Sequence, residues 1–171
     1  EFKKAFEEGY EEIIAILLSS KLSGTYNSAN LAKDILGDER ISIVDSEQAA
    51  SNLRFLVEDA INMSKNDKTM EEIVEHLENK KRQMYAYLTV DTLEYLKRGG
   101  RLSSLQSAIG SVLNVKPIIQ LKDGVLDSLE KVRGKNKALN AIENKVFENV
   151  EKISICHILD LDEAKKLKVN L

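Results

Sequence analysis

Apolar and polar positions along the chain alternate between a helical and an extended period. Phe2, Ala5, Phe6 and Tyr10 recur at helical spacing, and the apolar run Ile13 to Leu18 that follows predicts a strand buried on both faces, as in parallel sheets. From Thr25, the positions Ala29, Leu31, Ala32, Ile35 and Leu36 predict a helix closed by Gly37, and "RISIV" predicts the next strand. It runs into a polar turn, "DSEQAA". Leu53, Leu56, Val57, Ala60 and Ile61 continue as a helix, and Thr69 with Glu72 reads as the capping box of a helix carrying Ile73, Val74 and Leu77. Strands alternating with helices predict an α/β plan.

A second section opens with the strand "YAYLTV". Asp91 and Glu94 are the expected caps of the short helix "TLEYLKR", which Gly99 and Gly100 stop. Ser103 or Ser104 would cap a further helix through Leu105, Ala108, Ile109, Val112 and Leu113. The runs "KPIIQL" and "VLDSLEKV" flank Asp123-Gly124 and predict a β-hairpin of open loop length. A helix over about Lys135 to Val150, a strand "KISICHI" and a helix from Leu161 follow. The charged run "ENKKRQ" separates an N-terminal α/β domain, 1–83, from a C-terminal α/β domain with the hairpin, 84–171. An uncapped helical pattern at the start and another still running at Leu171 suggest that the first domain is incomplete at its start and the second at its end.

Composition narrows the function classes. The 171 residues are 43% hydrophobic, enough for a real core, and a formal net charge of -3 makes no electrostatic case for nucleic acid or an anionic membrane surface. Any anionic ligand must be held by local groups. A single cysteine, Cys156, excludes an internal disulfide and a cysteine-rich zinc site and favours a reducing compartment. The apolar runs are too short to cross a bilayer, so a cytoplasmic protein without integral membrane association is expected.

Catalytic signals are weak. His76 falls on a charged helix, His157 ends a predicted strand, and neither has metal-ligand spacing, so no metal is expected. The turn "SSKLSGTYNSA" lacks both the spaced glycines of a dinucleotide fingerprint and the end of a P-loop. Ser20, Ser23 and Thr25, with the N–H groups opening the helix at Thr25, can donate to a carboxylate or phosphate; equally, the turn can be a hydroxyl-rich cap and nothing more. Lys97 and Arg98 suit a helix C-terminus, whereas Arg101 after two glycines and Arg133 beside Gly134 read either as structural ion pairs or as docking contacts.

Taken in order, "SSKLSGTYNSA", "VDSEQAA", "TVDTLEYLKRGGRLS", "AIGSVLNVKPIIQLKDGVL" and "KVRGKNKAL" resemble the DegV family of bacterial fatty-acid-binding proteins across nearly the whole chain. The resemblance implies a two-domain DegV-like α/β fold with a lipid site between the domains and a bound fatty acid as ligand, with no cofactor. It implies that Ser23 hydrogen-bonds the carboxylate, within a turn whose Ser20, Gly24 and Thr25 offer further hydroxyl and N–H donors. It also implies a carrier, not an enzyme, which presents the bound acid to a separate fatty acid kinase subunit for conversion to an acyl phosphate; Arg101 and Arg133 match family arginines associated with kinase docking. Ile109, Val112, Leu113, Ile118 and Ile119 are candidates to line an apolar tunnel, and core packing explains each equally well. Two parts that normally contribute to the carboxyl site, a threonine/serine-proline loop expected before Glu1 and a histidine-glycine segment expected after Leu171, are missing from the chain, and His157 does not match that histidine. Asn52 and Arg54 stand where the family usually has glycine and apolar residues; Arg54 either edges the pocket or points to solvent. Two rival classes are an enzyme acting on a small acyl or phosphorylated substrate with Ser23 as nucleophile, and a regulatory domain that uses bound lipid only to join its sections.

Overall fold

Residues 1–101 and 115–170 are described by the computed structural model. The chain divides into two compact units, Glu1–Met84 with Asp123–Val125, and Tyr85–Lys122 with Leu126–Leu171. The hairpin turn and Val125 after it thus belong to the first unit, and the rest of the hairpin to the second.

In the first unit, Ile13–Leu17 forms β1 and Ile41–Asp45 forms β2; they pair in parallel, with Ile13 opposite Ile41 and Leu17 opposite Asp45. The helices are α1 (Phe2–Glu7), α2 (Thr25–Leu36), α3 (Ala50–Ser64) and α4 (Met70–Lys80), followed by a 3-10 turn at Lys81–Gln83. Gly37 ends α2 in the left-handed conformation, φ 61°, its N–H donating to Lys33 O. The capping box of α4 is present: Glu72 N–H donates to the Thr69 hydroxyl, and Thr69 N–H to the Glu72 carboxylate. Val44, Leu56, Ala60, Ile73 and Leu77 form the core, with Ile14, Ile16, Met63, Val74 and Met84 packed against it. Leu56 and Leu77 are fully buried, each contributing about 1.5–3 kcal/mol. β1 is only partly buried, short of the two-faced burial its sequence suggests: Ile14 and Ile16 pack against the core, but no β1 side chain is fully buried.

The second unit holds β3 (Ala86–Thr89), β4 (Val115–Lys122) and β5 (Val125–Arg133) in the order β3-β4-β5, with β3 and β4 antiparallel. Adjacent side chains on a strand face opposite ways, so full burial of both Ile118 and Ile119 means that β4 is covered on both faces. Helix α6 (Lys135–Glu143) packs on β3 and β4, and its Ala138 is fully buried. Asp123 (φ 49°) and Gly124 (φ 78°) have the paired positive φ of a type I′ turn, which makes the hairpin loop two residues long.

The structure departs from three local expectations. The helix predicted to reach Val150 stops at Glu143; Asn149 takes a left-handed φ of 68°, and Phe147 and Val150 remain exposed, with Phe147 against Tyr85 at 5.0 Å between ring centroids. Residues 152–158 form no strand, because no sheet edge among the described residues pairs with them and Ile153 and Ile158 are left exposed. Asp91 does not cap α5 (Glu94–Arg98), whose Glu94 N–H donates instead to the Thr92 hydroxyl at 3.1 Å. Asp91 is taken by the Lys116 ammonium at 2.6 Å, a stronger charge-assisted partner than a backbone N–H. The last helix, α7, spans Leu161–Asn170, and the helix predicted after Ser103 or Ser104 lies outside the described residues.

Candidate functional site

The parallel register brings the C-terminal ends of β1 and β2 side by side, so the two polar turns that follow them meet. Ser19, fully buried, is the anchor of the first turn. Its N–H donates to Gln48 O at 3.0 Å, its hydroxyl donates to Gly124 O at 2.6 Å, and its carbonyl accepts the N–H groups of both Leu22 and Ser23 at 3.0 Å. Lys21 adds a second tie to the hairpin turn, its ammonium donating to Asp123 O at 2.8 Å. The second turn supplies Asp45, whose Oδ1 accepts Ser20 N–H at 3.1 Å and Glu47 N–H at 3.0 Å.

Beyond this anchor the hydroxyls of Ser23 and Thr25 lie 2.9 Å apart, and Thr25 N–H donates to Ser23 Oγ at 3.3 Å. Ser23 is half-buried, while Gly24, the N-cap of α2, and Thr25 are exposed. Two hydroxyls therefore stand together at the positive end of a 12-residue helix, whose first-turn N–H groups lack partners within the helix. This arrangement can accept a small anion such as a carboxylate. Ser20 has a different position, since its N–H and its hydroxyl are both turned to Asp45.

Beneath the turns lies a charge cluster built on the buried Lys81, whose partners Glu47 and Glu78 are partly exposed. The Lys81 ammonium, 7% exposed, donates to Asp45 O at 2.9 Å and pairs with Glu78 at 2.8 Å and Glu47 at 3.1 Å. Burial pulls the Lys81 pKa down, but the Glu78 and Glu47 carboxylates outweigh it and raise the pKa above the ordinary lysine value. Burial likewise pushes Asp45 up, and the Ser20 hydroxyl, the Glu47 and Ser20 N–H groups and the Lys81 charge together bring it below the ordinary aspartate value. Gln48 completes the cluster, donating from Nε2 to Lys81 O at 3.2 Å and accepting Asn52 Nδ2 at 2.9 Å. Asn52 thus serves the scaffold of the turn. Arg54 is exposed and pairs with Glu58 at 3.3 Å on the next turn of α3.

Ser19, Asp45 and Lys81 were not singled out by sequence reasoning. Asp45 was within reach, because a residue closing the second of two parallel strands stands beside the turn that leaves the first; Lys81 carries no comparable signal inside its charged run.

The remaining candidates are dispersed. Arg101 is exposed, with its guanidinium turned back on Gly99 O, and Arg133 is exposed at the end of β5. His76 lies 3.5 Å from Asp59, and His157 is exposed and accepts Asp160 N–H at 3.3 Å instead of ending a strand. Of the tunnel candidates, Ile118 and Ile119 are core residues of β4, while Ile109, Val112 and Leu113 lie outside the described residues. Among the described residues no group of His, Cys, Asp and Glu is arranged to hold a metal, and no helix is long and apolar enough to cross a membrane.

The family model described as uncharacterised protein, DegV family, matches residues 1–171. A DegV domain-containing protein of Caldanaerobacter subterraneus is 41% identical over 145 residues, 83% of this chain and 52% of the relative. The crystal structure of DegV from Bacillus subtilis, described as a fatty acid binding protein, is 37% identical with a TM-score of 0.71, covering 84% of this chain and 51% of that one. A DegV family protein from Ruminococcus gnavus, refined with vaccenic acid, is 28% identical with a TM-score of 0.82, covering 98% and 64%. The chain spans about half the length of the first two proteins and under two thirds of the third. With a family model matched end to end and the α/β fold shared with these structures, the chain belongs to the DegV family.

Proposed function

We propose that the chain binds a long-chain fatty acid through its carboxylate at the serine turn and presents that carboxyl group to a separate fatty acid kinase, which forms the acyl phosphate. The observation that carries this reading is the pair of hydroxyls, Ser23 and Thr25, 2.9 Å apart at the start of α2, in a family whose solved members include proteins described as fatty acid binding. A carboxylate leaving water protonates unless charge-assisted donors replace its hydration, and these hydroxyls with the helix N–H groups are such donors. The affinity would come from the tail: at ~0.8 kcal/mol per buried CH₂, about fourteen methylenes supply on the order of 11 kcal/mol before the costs of association. Ser23 is the proposed carboxylate contact, Gly24 and Thr25 add donors, Ser20 stiffens the turn, and Arg101 and Arg133 are the proposed kinase contacts.

The partners of Ser23 weigh against a nucleophile. Its hydroxyl bonds to the Thr25 hydroxyl and N–H, neither of which is a base that could take its proton. Denaturing mass spectrometry of lipid extracted from the purified protein tests the proposal. Near-equimolar fatty acid is expected; no lipid, together with failure to take up added fatty acid, would overturn it.

A further inference from the structure

Ser23 can hold a carboxylate tightly only if the turn that carries it is fixed before the ligand arrives, because disorder in the free turn would be charged against binding. The turn is closed on itself by two N–H donations to Ser19 O, and Ser19 is in turn held by Gln48 O and Gly124 O. Its second residue, Ser20, has its N–H on Asp45 Oδ1, which also accepts Glu47 N–H. One carboxylate oxygen therefore ties together the two turns that leave β1 and β2.

Asp45 is fixed from behind as well. Lys81 donates to its carbonyl oxygen and pairs with Glu47, which has a left-handed φ of 52°, a conformation that a residue with a side chain keeps only when neighbours enforce it. Ser46 N–H donates to Leu17 O and closes the junction between the strands. A carboxylate does not receive another carboxylate, so Asp45 can serve the site only through the turn.

We propose that Asp45, locked by Lys81, is a positioning residue that pre-sets the serine turn for anion binding at Ser23 and Thr25. The inference rests on the fatty-acid reading for the identity of the anion. Asp45→Asn keeps the size of the side chain and an acceptor oxygen but removes the charge that both N–H groups share.

The test compares the unsubstituted chain, Asp45→Asn and the core variant Ile73→Val for affinity toward cis-parinaric acid, a fluorescent long-chain fatty acid, and for amide hydrogen exchange. Asp45→Asn is expected to bind at least about tenfold more weakly and to speed exchange at Ser20, Leu22 and Ser23 at least about tenfold beyond any change at the core amides of Leu56 and Leu77, which report the loss of global stability. Ile73→Val, which loosens the core without touching the turn, is expected to keep the affinity. Unchanged affinity and unchanged turn exchange in Asp45→Asn would overturn the inference, as would a loss that Ile73→Val reproduces. If the unsubstituted chain takes up no parinaric acid, the fatty-acid reading falls, and turn exchange alone decides the positioning role. If Asp45→Asn does not fold, the amide proton shifts of Ser20 and Glu47 in the unsubstituted chain decide it: they must follow one acid midpoint with the Asp45 carboxyl, and separate midpoints would overturn the role.

Discussion

The Ser19 hydroxyl donates to the carbonyl oxygen of Gly124 at 2.6 Å, across 105 residues of chain, and both residues are buried. Gly124 is needed on two counts: its φ is 78°, and a Cβ there would lie 2.7 Å from Ser19 Oγ. Ser19→Ala leaves a buried carbonyl unsatisfied and is expected to cost about 1–3 kcal/mol. Gly124→Ala adds the clash and the left-handed penalty and is expected to cost more. The double variant should lose less than the sum, because removing the hydroxyl removes the clash. Urea denaturation of the four proteins measures the cycle, and strictly additive losses would refute the contact.

Ser23→Ala should weaken fatty acid retention by roughly tenfold to a hundredfold, the loss of one hydrogen bond to a charged group. It also removes the acceptor of Thr25 N–H, so binding must be titrated well below the unfolding temperature. Retention equal to that of the unsubstituted chain would remove Ser23 as the carboxylate contact.

Arg101→Glu and Arg133→Glu are expected to leave fatty acid retention intact and to suppress acyl phosphate formation when a fatty acid kinase is supplied. Both side chains are exposed, so the fold should tolerate the changes. Lost lipid retention with a normal melting temperature would move these residues from docking to the binding site.

Stability should respond to pH at both ends. The Asp45 pKa is depressed in the fold, so its contribution is present above the unfolded aspartate value and disappears as pH falls through the lower folded value. The Lys81 pKa is raised, so its contribution is complete below the unfolded lysine value and is lost as pH rises through the higher folded one. Asp45→Asn should flatten the acid limb of a stability–pH curve, and Lys81→Met the alkaline limb. A curve of unchanged shape in either variant would contradict the corresponding assignment.

Features set by neighbouring residues were legible in the sequence. The capping box at Thr69 and Glu72, the Gly37 helix stop and the turn at Asp123-Gly124 each depend on sterics and hydrogen bonds within a few positions. Features whose deciding partner lies far along the chain were not legible in this way. Asp91 looked like a cap for α5 until Lys116, 25 residues on, claimed its carboxylate, and the β-branched run at 152–158 found no edge to pair with.

By itself, the sequence determined the α/β alternation, the hydroxyl-rich turn after β1 and the family, because apolar periodicity, turn chemistry and ordered motif blocks are written in adjacent residues. Only the tertiary structure decided that Ser19 anchors the hairpin turn, that Asp45 holds Ser20 from 25 residues away, and that Lys81 locks Asp45 from 36. Those contacts arise because the parallel register brings two strand ends together and burial leaves each polar group a single set of partners, a constraint that no local pattern encodes.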